Sequence, residues 1–135
     1  MSLIGYALRQ AKEYYDNDTY DHAIRVAINV ADNPLIPDKL MDLSISLAIM
    51  HDLLEDTSYE EYNTIPREIE RSLKLITKTK NEKYKEYIKE IAFYKEENPE
   101  VYWVKIADIK DHLEQTKTLT EELKNKYLEA LPYLL

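Results

Sequence analysis

The chain contains no cysteine in its 135 residues. That excludes a disulfide framework and any thiolate metal site, and it fits a reducing compartment. Glycine occurs once, at Gly5. Walker-type phosphate loops and dinucleotide fingerprints each need several glycines, so both are excluded. Positive charge is also short: 18 Lys and Arg face 26 Asp and Glu, a formal net charge of -8. General nucleic-acid binding needs clustered cations to neutralise phosphates, and this balance argues against it. Long apolar runs are missing, and none approaches the ~20 residues that cross a bilayer. The opening MSLIGYALRQAKEYY lacks the basic start, apolar core and small-residue cleavage site of a secretory signal. These absences lead to the expectation of a cytoplasmic protein without a membrane partner. A phosphorylated small molecule stays within reach if a metal or a local basic patch supplies positive charge.

What is present is helical periodicity. The length suits one domain spanning 1–135. Segments with a period near 3.6 follow one another, and none alternates with period two. The spacing predicts helices over Leu3 to Tyr15, Tyr20 to Ala31 (after the breaker DNDT) and Asp38 to Leu54. It predicts a short one from the capping-box spacing of Ser58 to Glu61. Further helices are expected from Pro66 to Thr77, Glu82 to Glu96 and Glu100 to Gln115, and a last one opens at TLTEE and ends near Pro132. The third is apolar almost all round and is expected to be the buried central helix. The fold class is all-α: a compact irregular bundle of about six or seven helices. The 12 tyrosines read mostly as amphipathic residues at the core edge.

One stretch does not fit a plain core. MHDLLEDT follows the apolar LSISLAIM and carries His51, Asp52, Glu55 and Asp56. Adjacent helical residues point about 100° apart, so His51 and Asp52 reach one point only if it lies beside the helix. A divalent cation bound by both satisfies this. Glu55 and Asp56 lie three or four residues on, on the same side. Two further donors are available: His22, in the core-like flanks of YDHAIRVA, and Asp108, embedded in VKIADIKDH. A carboxylate on an apolar face is costly to bury unless something compensates it. Bland readings stand beside these. His22 could be an ordinary part-buried histidine, Asp108 a partner of Lys105, and Glu55-Asp56 a solvated helix end, although acids there oppose the helix dipole.

The order His22, His51-Asp52, Asp108 resembles the metal-binding signature of the HD-domain phosphohydrolase superfamily. The HDLLEDT extension, ITKTK and VKIADIKDH resemble the hydrolase domains of the RelA/SpoT family and their small single-domain relatives, over about Ala7 to Thr116. The resemblance implies that His22, His51, Asp52 and Asp108 bind one divalent ion, commonly Mn2+. It implies that Glu55 and Asp56 act on the attacking water, and that the substrate is guanosine tetraphosphate or pentaphosphate, losing its 3′ pyrophosphate.

Two departures stand out. His112 occupies the place of the family's asparagine, where it could contact substrate or serve as an extra ligand. The loop before His22, YYDNDTYD, is acidic where the family's is basic. Arg9, Lys12 and Arg25 remain as candidate phosphate contacts near that loop, with Lys78, Lys80 and Lys105 from elsewhere; Lys105 also reads as a snorkelling surface lysine. The alternatives are an HD-type nucleoside monophosphatase, hydrolysis of another pyrophosphate-bearing nucleotide, or a non-catalytic nucleotide-binding HD domain. A homo-oligomer is compatible with the sequence.

Overall fold

Side chains at the starts of the first two helices explain where they begin in the computed structural model, which describes residues 2–135. Ser2 Oγ accepts from Gly5 N at 3.0 Å and opens α1 (Leu3–Tyr14). Asp16 accepts from Thr19 N at 2.8 Å and opens α2 (Asn17–Ala31). DNDT is therefore a cap and first turn, and α2 starts three residues before the expected Tyr20. An aspartate at the cap, with Asp18 in the first turn, favours that start through both hydrogen bonding and the dipole.

The central helix α3 (Asp38–Met50) stops four residues short of the expected Leu54, and the chain re-enters a single turn, α4 (Leu53–Asp56). A second single turn, α5 (Tyr59–Tyr62), leads to α6 (Arg67–Ile76). Next come α7 (Tyr84–Phe93), α8 (Pro99–Glu114) and α9 (Glu121–Leu134). Pro99, expected only as a stop, is the first residue of α8, where its missing N–H costs nothing. Helix α9 runs through Pro132, and the Leu135 N–H still bonds to the Leu131 carbonyl at 2.9 Å. So near the helix end the proline forfeits one hydrogen bond without ending the element. The described residues thus form seven longer helices and two single turns, with no strand.

Helix α3 is the hub. It packs on α1, α2, α6 and α8, and Leu47, Ala48, Ile49 and Met50 are almost completely buried. Fully burying a side chain such as Leu47 or Met50 stabilises by roughly 1.5–3 kcal/mol each. Helix α6 turns Ile69, Leu73 and Ile76 inward and its charges outward. Helix α9 covers α7 and α8. Among the described residues no helix is long and apolar enough to cross a membrane. This packing brings the middle of α2, the end of α3 and the second half of α8 to one place.

Candidate metal centre

The site begins with the way α3 ends. His51 keeps helical backbone angles (φ -60°, ψ -25°), whereas Asp52 leaves them (φ -98°, ψ 0°). A helix end leaves carbonyls without intrahelical partners. Here two of them are satisfied by site residues. His51 Nδ1–H donates to the Ala48 carbonyl (2.7 Å), and the buried Tyr15 hydroxyl donates to the Ile49 carbonyl (2.7 Å) while accepting from Asp52 N–H (3.2 Å). The negative end of the α3 dipole therefore faces the cluster and favours a cation there.

Helix α8 supplies the centre. Asp108 Oδ1 lies 2.8 Å from His22 Nε2 and 3.2 Å from His51 Nε2, while Oδ2 accepts from Lys105 Nζ at 2.8 Å. Lys105 is only 8% exposed and lies over the rings of Tyr84 and Tyr87, so it is an internal partner of Asp108 instead of a surface lysine. Burial alone would raise the Asp108 pKa. Lys105 and His51 outweigh it and hold the carboxyl well below the usual range.

Second partners set the rings. His22 Nδ1–H donates to Asp111 Oδ2 at 2.7 Å, and Asp111 is gripped by both Nε and a terminal nitrogen of Arg25, at 2.9 and 3.0 Å. Burial opposes ionisation of Asp111, but Arg25 and His22 prevail and lower its pKa. This carboxylate–imidazole arrangement orients metal-ligating histidines generally. With both Nδ1 atoms donating to acceptors, the two Nε2 atoms face Asp108 Oδ1 either with a lone pair or with a second proton. The arrangement therefore needs a cation between nitrogen and carboxylate, a proton or a metal. With protons alone, burial works against charge on His51, but Asp52 and Asp108 push its pKa up to about 9.

The donor set suits a metal. The donor atoms of His22, His51 and Asp108 lie within 4.8 Å of one another and can hold an ion. Asp52 Oδ2 is 3.3 Å from His51 Nε2 and 3.9 Å from His22 Nε2. Donors about 2.1 Å from one six-coordinate ion stand about 3.0 Å apart when adjacent and about 4.2 Å apart when opposite. The separations of 2.8, 3.2 and 3.3 Å are of the adjacent kind, and 3.9 Å approaches the opposite kind. The four expected ligands thus come together from α2, α8 and the end of α3.

Two clefts flank the cluster. One, of about 380 Å³, is lined by Asp18, Asp21, Asp111, Arg25 and His22 among others. The other, of about 230 Å³, has Lys78, Lys105, Lys126, Tyr84 and Tyr127 on its walls, with Glu55. Asp52, Asp56 and His112 line both. Asp52, Glu55 and Asp56 form a second acidic group beside the first. Burial, then Asp52 and Glu55, push the Asp56 pKa up to about 6. Glu55 Oε1 accepts from the Lys78 backbone N–H at 3.2 Å, tying α4 to the loop that carries Lys78.

The remaining expected contacts are scattered. Arg25 faces the acidic cleft but is engaged with Asp111. Arg9 and Lys12 are exposed on α1 and line neither cleft. The sequence reading missed Asp111, Lys126, Tyr127 and Tyr15. Asp111 had a usable signal, lying three residues after Asp108 on the same helical face; the other three come from elements whose docking no local pattern reports. Against known proteins, the chain matches no family model and no curated protein.

Proposed function

We propose that the protein is a metal-dependent phosphohydrolase acting on a nucleotide, with guanosine tetraphosphate as the first candidate and its 3′ pyrophosphate as the group removed. The observation that carries this reading is the convergence of His22, His51, Asp52 and Asp108 beside a cleft with three lysines on its wall. These four residues would hold the ion. When bound, a divalent cation supplies Lewis acidity, lowering the pKa of water and offsetting phosphate charge. The chain supplies the rest. Asp56 has a pKa near 6 and opens onto both clefts, so at neutral pH it is an ionised base suited to accept a proton from water. Glu55 is the second carboxylate at hand and also holds the Lys78 loop in place. Lys78 and Lys126 face the cleft and bring positive charge to a phosphate group. Lys105 acts behind them by keeping Asp108 ionised.

The test is a nucleotide panel with Mn2+ and with Co2+, read by the product released. Pyrophosphate from guanosine tetraphosphate is the expected result, and Asp108→Ala should lose both metal binding and turnover. A panel without any released phosphate or pyrophosphate would reject the reading. One observation favours a second substrate class, nucleoside monophosphates. The larger cleft is acidic, with Asp18, Asp21, Asp52, Asp56 and Asp111 against Arg25, and it disfavours a second diphosphate group. Release of inorganic phosphate from monophosphates would select that alternative.

A further inference from the structure

We propose that His112 is a fifth protein donor to the same ion, giving a three-imidazole centre that prefers Zn2+, Co2+ or Fe2+ over Mn2+. The inference rests on the metal centre, not on the reaction assigned to it.

His112 Nε2 lies 3.2 Å from Asp108 Oδ1, the oxygen already approached by His22 at 2.8 Å and His51 at 3.2 Å. A carboxylate oxygen has about two lone-pair sites, so three imidazole nitrogens cannot all be satisfied there as simple donors. One ion bound to His22, His51 and Asp108, whose donors lie within 4.8 Å of one another, would take up that oxygen and draw in His112, which stands outside this tighter set, as a further donor. The 3.2 Å separation matches the adjacent-donor spacing of the other members of the set.

The rings agree with this. The His22 and His112 centroids are 4.5 Å apart, and those of His22 and His51 are 5.3 Å apart. Two imidazoles bonded through Nε2 at about 2.1 Å to one ion place their centroids about 4.6 Å apart at a right angle and about 5.3 Å apart at the tetrahedral angle. The His22–His112 value falls at the right-angle spacing, and the His22–His51 value is wider than it.

His112 is also held in place. Its ring stacks on Tyr127 at 4.9 Å with a 7° interplanar angle, while its other neighbour is His22. Asp108 and His112 are four residues apart, one above the other on one face of α8. Such preset geometry is what a ligand needs and a loosely held substrate contact does not. The side chain is 38% exposed, so it can be changed without opening the core. The preference follows from donor type: imidazole suits Zn, Fe, Co and Ni, whereas an oxygen-rich set suits Mn and Mg.

The experiment uses the full chain stripped of metal, as wild type and as His112→Asn, with Zn2+ and Mn2+ affinities measured by chelator competition. The imidazole count is read from X-ray absorption of the Zn2+-loaded forms. A melt of each metal-free form checks folding. The expected result is at least a tenfold loss of Zn2+ affinity in the variant, about 1.4 kcal/mol. Mn2+ affinity should change by less than about threefold, and the count should fall from three imidazoles to two. Zn2+ affinity within about twofold of wild type, or a count of two in both forms, overturns the proposal. So does a variant that keeps its metal and loses only turnover, which would make His112 a substrate contact and leave the proposed reaction standing. If wild type binds no ion, the centre itself is rejected.

Discussion

Asp111 shows how much a single carboxylate can do through its neighbours. It receives the His22 Nδ1 proton and is itself fixed by Arg25, so it sets both the tautomer and the angle of the ring. Asp111→Asn keeps the shape but weakens that acceptor and removes its charge. We expect metal affinity to fall by about 10–100-fold with little change in fold, measured by chelator competition. The two acids of the ED pair should separate by role. Asp56→Asn and Glu55→Ala should each retain the ion, and Asp56→Asn should lose turnover by about 100-fold or more if it is the proton acceptor. Full activity in Asp56→Asn would move that role to Glu55. At this scale the sequence revealed residue types that demand compensation: His22 and Asp108 in apolar flanks, and an adjacent His-Asp pair. It did not reveal which charges are spent on each other. The spacing of three offered Lys105 as a partner of Asp108, but not its burial, and only packing shows Arg25 committed to Asp111.

Among the elements, α3 matters most because of where it stops. Its apolar pattern continues through Leu53 and Leu54, so periodicity carried the helix to Leu54. The break at Asp52 comes from tertiary partners, since Tyr15 binds the Ile49 carbonyl and the Asp52 N–H together. Tyr15→Phe removes one donor and one acceptor at a buried helix end. It should lower stability by about 1–3 kcal/mol, read by denaturant titration, and should weaken metal binding because Asp52 loses its anchor. A stability change within 0.5 kcal/mol would show that the α3 end is sealed by something else. The start of α2 and the place of Pro99 in α8 are missed for the opposite reason. DNDT and ENPE look like breakers, yet Asp16 and Pro99 act as a cap and a first helical residue, which is a matter of position and not of composition.

For the whole molecule, the all-helical class followed from the period of the apolar residues, and the central place of α3 from a pattern with no polar face. The meeting of α2, α3 and α8 depends on packing between distant segments, which no single window of sequence contains. That meeting concentrates titrating groups, and it fixes how stability of the metal-free protein depends on pH. His51 is raised from 6.5 to about 9, so its contribution is complete below pH 6.5 and is lost as pH rises through about 9. Asp56, raised from 3.8 to about 6, acts in the same direction over its own range. Asp108 and Asp111 are lowered, so their contribution is present above 3.8 and is lost in acid. The melting temperature of chelator-treated protein should therefore fall between pH 6.5 and 9, and saturating metal should remove that fall by replacing the proton. A flat profile in the metal-free protein would contradict the charge assignment.

The donors also lie far apart along the chain, Asp108 standing 86 positions after His22. An ion there is a rivet between the amino-terminal and carboxy-terminal parts of the bundle. Cleavage in the exposed stretch 79–81 would leave His22, His51 and Asp52 on one fragment and Asp108 on the other. The nicked protein should then depend on the metal more steeply than the intact one, because two separate pieces no longer hold each other at high effective concentration.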